Sequence, residues 1–299
     1  MAGGALRRQQ RRVRAAVRRA AVIGHPIDHS LSPVLHRAAY AALGLDGWRY
    51  DAIDTPPERL AGVVAGLDAG WAGLSVTMPL KTAVLDHLHH VEPLAELLGV
   101  VNTVLVQPGS PVSLVGANTD VAGIVAALGE GRDAGASADA APPVVVGGGA
   151  TAASALAALA QLGRTDATVQ VRSMARAGAT VRAANRMGLS PRFETMADPE
   201  ASVDRWRTAA MVVSTLPPGG ADALAGTLAS MGREVHGVLL DCAYDPRPTA
   251  LTRVWRELGG TAVGGERMLL HQAAEQVRLM TGHAAPVAAM AQALDAALA

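Results

Sequence analysis

The stretch "VVVGGGATAAS", Val144–Ser154, decides how this chain folds. Three β-branched residues run directly into three glycines, and an alanine-rich segment follows. The order is strand, tight turn, helix. Gly147, Gly149 and Ala152 make the spacing G-x-G-x-x-A. Glycines let the backbone turn sharply and come close to a pyrophosphate. The first turn of the helix then supplies unpaired N–H donors and a favourable dipole. The letters alone are a weak signal. The strand before them and the helix after them favour a dinucleotide turn over an unliganded strand–helix turn.

The neighbouring segments extend the pattern. "ATVQVRS", Ala167–Ser173, reads as the next strand. An NAD site places an acid at the end of this strand for the ribose hydroxyls. Here Arg172, Ser173 and Arg176 stand there instead. They suit a 2′-phosphate through charge-assisted hydrogen bonds, which favours NADP over NAD. "AAMVVSTLPPGG" and "GVLLDCAYDP" read as two more strands, each running into a loop. Upstream, residues 21–115 also alternate strands with helices, and the polar connector "RDAGASADAAPP", 132–143, separates the halves. The fold class is therefore α/β.

Composition narrows the class. With 299 residues, half of them hydrophobic, the chain buries a full core and is not disordered. Formal net charge is zero, which gives no case for a nucleic-acid partner. The charge is uneven, however. Residues 1–20 hold seven arginines and no acid, leaving 19 basic against 26 acidic side chains in the body. That basic leader reads as a disordered tail, lacking the apolar run of a cleaved signal. No run of 18 apolar residues suggests a membrane span. The single cysteine, Cys242, excludes an intramolecular disulfide framework. The expectation is a soluble cytoplasmic protein.

Several strands of the first half end in small polar residues: Ser30 and Ser32, Thr77, Asn102, and Asn118 to Asp120. Each alone could be a helix cap. Together, at the carboxyl edge of one sheet, they suggest a small polyhydroxylated ligand. His25, His29 and His36 lack a matching ligand set, so no metal is expected. Lys81 is the only lysine among 26 basic residues. Asp120 near it would stabilise an ammonium able to donate a proton to, or polarise, an oxygen. Arginine stays protonated and serves poorly as an acid. A structural salt bridge alone could have used the arginine this chain otherwise prefers.

At this point the chain closely resembles the shikimate dehydrogenases across residues 21–290. The resemblance rests on "GHPIDHSLSPVLHRAAY", "SVTMPLK", "GVVNTV", "GANTDVAG", "VVVGGGATAAS", "STLPPGG", "DCAYDPRPTALTR" and "GGERMLLHQAAEQVRLMTG", in that order. It implies NADPH-dependent reduction of 3-dehydroshikimate to shikimate, in the route to chorismate and the aromatic amino acids. It implies Lys81 and Asp120 as the catalytic pair, and substrate contacts from Ser30, Ser32, Ser75, Thr77, Asn102, Tyr244 and Gln272. It places the cofactor at Gly147, Gly148, Gly149, Ala150, Thr151, Arg172, Ser173, Arg176, Thr215, Leu216, Gly265 and Met268.

The implied architecture has two α/β domains. Residues 21–120 and 264–299 form the substrate domain, and 121–263 form a Rossmann-type NADP domain. The closing helices return to the first domain, as a monomer or homodimer. The chain departs from the family at several points. Ser75 replaces the usual asparagine, "VRS" replaces "NRT", "STLP" replaces "NATP", and the turn has Thr151 and Ala152 in place of the more usual "AAR". Two other readings stay open: a quinate dehydrogenase using NAD, and a non-catalytic ligand-binding relative. A methylene-tetrahydrofolate dehydrogenase fits the serine pair and "GANTDVAG" poorly.

Overall fold

The computed structural model describes residues 17–133 and 141–299. Two six-stranded sheets organise the described residues. In the first half, strands β1 (Arg18–Gly24), β2 (Trp48–Asp54), β3 (Trp71–Val76), β4 (His90–Val91), β5 (Thr103–Gln107) and β6 (Ser113–Ala117) lie in the order β2-β1-β3-β5-β6-β4. β1 runs parallel to β2 and β3, while β3, β5 and β6 form antiparallel pairs. Helices α1 (Ser32–Ala42), α2 (Leu60–Ala65) and α3 (Pro93–Leu98) connect them. The central strands are hydrophobic on both faces, as a sheet covered by helices requires. Edge strand β2 alternates instead, with Tyr50 buried and Arg49, Asp51 and Asp54 exposed.

β1 begins at Arg18, three residues before the expected start, so Arg18 and Arg19 are not part of a disordered leader. Their backbones pair with Trp48 and Arg49, and their guanidinium groups lie 6.0 and 4.7 Å from the rings of Trp48 and Trp71. The arginine stems cover indole surface while the charged heads reach water. Residues 1–16 of the expected leader lie outside the described residues.

Helix α4 (Asp120–Asp133) leads to the second sheet, where β7 (Val144–Val146), β8 (Thr168–Val171), β9 (Arg192–Thr195), β10 (Met211–Ser214), β11 (Val238–Asp241) and β12 (Thr261–Gly264) are all parallel. Their order, β12-β11-β10-β7-β8-β9, is that of a doubly wound dinucleotide-binding sheet. The connecting helices are α5 (Ala150–Gln161), α6 (Gly178–Arg186), α7 (Pro199–Thr208), α8 (Asp222–Met231) and α9 (Ala250–Glu257). The strand order reverses between β7 and β10, so a crevice opens at their carboxyl ends.

The chain then returns to the first domain. α10 (Gly265–Thr281) and α11 (Val287–Leu298) bury Leu270, Ala273, Val277, Met290 and Leu294 against Leu35 and Ala39 of α1. α10 also crosses α4 closely at Gly123. A β-carbon there would stand 2.8 Å from the Met268 carbonyl and 2.9 Å from Cβ of Gln272. Only a glycine lets the two helices approach enough to bring Gln272 over the end of α4. Among the described residues, no helix is long and apolar enough to cross a membrane.

Candidate functional site

A cleft of about 270 Å³ lies where the two halves meet. All nine residues expected to act on substrate line it: Ser30, Ser32, Ser75, Thr77, Lys81, Asn102, Asp120, Tyr244 and Gln272. They arrive from separate elements. Ser30 and Ser32 lie at the start of α1, and Thr77 follows β3 directly. Lys81 sits on a short turn whose neighbours Leu80 and Val84 are fully buried. Those two anchors fix the turn, and the Val101 N–H donates to the Lys81 carbonyl at 2.8 Å. Asp120 is the first residue of α4, and Gln272 lies about two turns into α10.

Lys81 Nζ donates to Asp120 Oδ2 at 2.5 Å. The other carboxylate oxygen, Oδ1, accepts from Asn102 Nδ2 at 2.8 Å. Asn102 Oδ1 accepts from the Thr119 N–H at 2.8 Å, which ties the asparagine to the entry of α4. The lysine and aspartate side chains are only 15% and 5% exposed, so the pair is largely shielded from water. Both carboxylate oxygens are spoken for by donors, and one edge of the ammonium faces the cleft. Beside them, burial raises the pKa of the Cys242 thiol, and the carboxylates of Asp241 and Asp120 raise it further. Cys242 therefore stays protonated. Burial likewise raises the Tyr244 phenol, with a smaller contribution from Asp245.

A second cleft of about 250 Å³ opens over the glycine-rich turn. Gly147, Gly148, Gly149, Arg172, Ser173, Arg176, Thr215 and Leu216 line it. Gly147 has φ +116°, and a β-carbon there would collide with the Thr215 hydroxyl. No side chain caps α5, whose N-cap is Gly149 and whose first residue is Ala150. Its leading N–H groups thus point into the turn without a side-chain acceptor. Arg172 and Arg176 are both exposed at the rim. Three residues expected at the cofactor, Thr151, Gly265 and Met268, line the first cleft rather than the second. Thr151 belongs to the first turn of α5, whereas Gly265 and Met268 come from the start of α10. Ala150 lines neither cleft.

Several cleft residues escaped the sequence reading. Gln276 and Leu269 come from α10, and Cys242 comes from the loop after β11. Gln276 lies one turn beyond Gln272 on the same face, a spacing that could have revealed it. Tyr50 and His36 support the cleft from behind. Burial drops the His36 pKa to about 3, partly opposed by its hydrogen bond to Gln276, so the ring is neutral.

The parallel sheet, its glycine turn and a buried ammonium–carboxylate pair in the adjoining cleft define a two-domain oxidoreductase of the dinucleotide-binding type. Comparison with known proteins gives the family. The profile described as "Shikimate dehydrogenase substrate binding domain" matches residues 22–104, and "Shikimate 5'-dehydrogenase C-terminal domain" matches residues 265–294. The shikimate dehydrogenase (NADP(+)) of Halobacterium salinarum is 38% identical over 282 residues, spanning 93% of this chain and 98% of its own. The crystal structure of Mycobacterium tuberculosis shikimate dehydrogenase superposes with a TM-score of 0.79 at 40% identity, covering 94% of this chain and 99% of the other. The Thermus thermophilus enzyme, solved in complex with NADP(H) and shikimate, gives a TM-score of 0.74 at 33% identity, covering 94% and 99%. The chain belongs to the shikimate dehydrogenase family.

Proposed function

We propose that this protein catalyses the reversible, NADPH-dependent reduction of 3-dehydroshikimate to shikimate. One observation carries the reading: the chain's only lysine meets Asp120 at the floor of a polar cleft beside the glycine turn. The relative from Thermus thermophilus, solved with NADP(H) and shikimate, supports the choice of ligands.

The residues present fit the cofactor. The left-handed Gly147 and the uncapped start of α5 suit a pyrophosphate, and Arg172, Ser173 and Arg176 suit a 2′-phosphate. When bound, NADPH supplies the hydride. The chain's own groups do the rest. Ser30, Ser32 and Tyr244 hold the ring carboxylate, while Thr77, Asn102 and Gln272 orient the ring. Lys81 faces the carbonyl oxygen and stabilises the charge that develops there. The alkoxide takes a proton from its ammonium, and solvent restores that proton. Asp120 holds Lys81 in place, with its other oxygen fixed by Asn102. Positioning these groups in advance removes the cost of assembling them during reaction.

Initial rates with shikimate or quinate, each with NADP⁺ or NAD⁺, test the reading. Shikimate with NADP⁺ should give the highest kcat/KM. A preference for quinate or NAD⁺, or ligand binding without turnover, would reject it.

A further inference from the structure

Behind the cleft lies a hydrogen-bond network whose proton directions can be worked out. Gln276 Nε2 lies 3.1 Å from the backbone carbonyl of Asn102 and 3.0 Å from Thr103 Oγ1. A carbonyl only accepts, so the Gln276 amide nitrogen must face it. Its oxygen Oε1 therefore faces the other way, 2.7 Å from Ser75 Oγ and 3.2 Å from His36 Nε2. Ser75 must spend its one proton on that oxygen. Tyr50 Oη, 2.5 Å from Ser75 Oγ, must then be the donor to Ser75. His36 must carry its proton on Nε2. All four hydrogen-bonding positions of the Gln276 amide are used inside the protein, and Gln276 is 1% exposed.

We infer that Gln276 is a specificity-determining positioning residue: it locks the Ser75 hydroxyl so that the cleft wall offers only an acceptor there. A ligand group meeting Ser75 must donate, so this wall selects a ring hydroxyl and disfavours a group that only accepts. This rests on reading the cleft as the shikimate site. An asparagine amide at this position would present both a donor and an acceptor. Serine coupled to Gln276 presents one polarity. Tyr50 contributes differently. It occupies one Ser75 lone pair but does not decide where the Ser75 proton points.

The test compares shikimate with analogues carrying fluorine in place of one ring hydroxyl, at position 4 or position 5. Fluorine accepts weakly and cannot donate. At one of these positions wild type should prefer hydroxyl over fluorine in kcat/KM by roughly five- to tenfold, the worth of one net hydrogen bond. Gln276→Met frees the Ser75 proton and should reduce that preference to about twofold or less. Tyr50→Phe leaves Ser75 donating to Gln276 and should keep the preference, whereas Ser75→Ala should abolish it. A purely structural role would move the Gln276 and Tyr50 variants alike.

Equal preference in wild type and Gln276→Met overturns the inference, as does no preference in wild type. The same ratios can be read from equilibrium Kd values by calorimetry. A protein that binds shikimate without oxidising it therefore still reports on Ser75, and lack of turnover rejects only the proposed function. Nitrogen-15 shifts of His36 in the wild-type protein give a check that needs no ligand. The network requires protonated Nε2 and bare Nδ1 from about pH 5 to 8, and the opposite tautomer contradicts it.

Discussion

Asp120→Asn is a demanding test of the cleft because the change is nearly isosteric. Both Asp120 oxygens face donors: Lys81 Nζ at 2.5 Å and Asn102 Nδ2 at 2.8 Å. An amide has one oxygen and one NH2 group, so one of these donors must meet another donor. If the NH2 group faces Lys81, an ammonium only 15% exposed loses both its counter-charge and its acceptor. Removing one partner of a well-buried ion pair costs about 3–5 kcal/mol. With some exposure remaining on Lys81, about 3 kcal/mol is the expected loss, equivalent to a fall in Tm of roughly 5–10 °C. Turnover should suffer more than stability. Acid–base assistance is worth about 10²–10⁴-fold, so kcat should drop by at least about 100-fold while NADP⁺ still binds. Chemical denaturation and initial rates of nicotinamide reduction measure the two effects. A variant with lowered stability but kcat within about threefold of wild type would refute the catalytic part, because a contribution of that size lies below acid–base assistance.

Other outcomes follow from the same geometry. Arg172→Ala and Arg176→Ala should each raise KM for NADP⁺ by roughly tenfold, the loss of one charge-assisted contact, with little effect on NAD⁺; equal effects on both cofactors would remove them from the 2′-phosphate. Gly123→Ala should lower both Tm and kcat, since the new methyl meets the Met268 backbone and displaces Gln272; unchanged melting curves would contradict the close crossing. Glu130 accepts two hydrogen bonds from Arg267, at 2.8 and 2.6 Å, and contacts His271, clamping α4 to α10. The Arg267 hydrogen bond, followed by that of His271, holds the Glu130 carboxyl below its usual 4.5 against some desolvation. A depressed acid stabilises the fold above its unfolded pKa and loses that contribution as pH falls through the folded value. Glu130→Gln should therefore be less stable than wild type near neutrality, and the gap in Tm should close on acidification below 4.5. A gap independent of pH would count against the clamp.

Much of this arrangement could be read from the chain. Val144–Ser154 states its strand, turn and helix in composition alone, because only glycine tolerates the turn and only apolar residues suit a doubly covered strand. Lys81 was conspicuous as the one lysine in an arginine-rich chain. The polar clusters were visible as exits from strands, and the fold brings them to one cleft. The strand start at Arg18 was hidden because two arginines look like more leader. Their neighbours on β2 and β3, Trp48 and Trp71, lie 30 and 52 residues further along. β9 and β12 are four residues each and lack a long apolar run. The network of Tyr50, Ser75, Gln276 and His36 joins residues up to 240 positions apart. No local pattern announces such a contact, and Tyr50 and His36 look in sequence like ordinary core aromatics.

The chemistry turns on whether residue 81 gives up a proton or merely carries positive charge. Lys81→Arg separates these, since arginine keeps the charge and can still pair with Asp120 but does not release a proton near neutral pH. Single-turnover reduction of 3-dehydroshikimate by the variant, pre-mixed with NADPH, is the decisive measurement. It should be slower by at least about 100-fold, with NADPH affinity unchanged. A variant reacting at the wild-type rate would show that charge alone suffices and that no proton passes through this side chain.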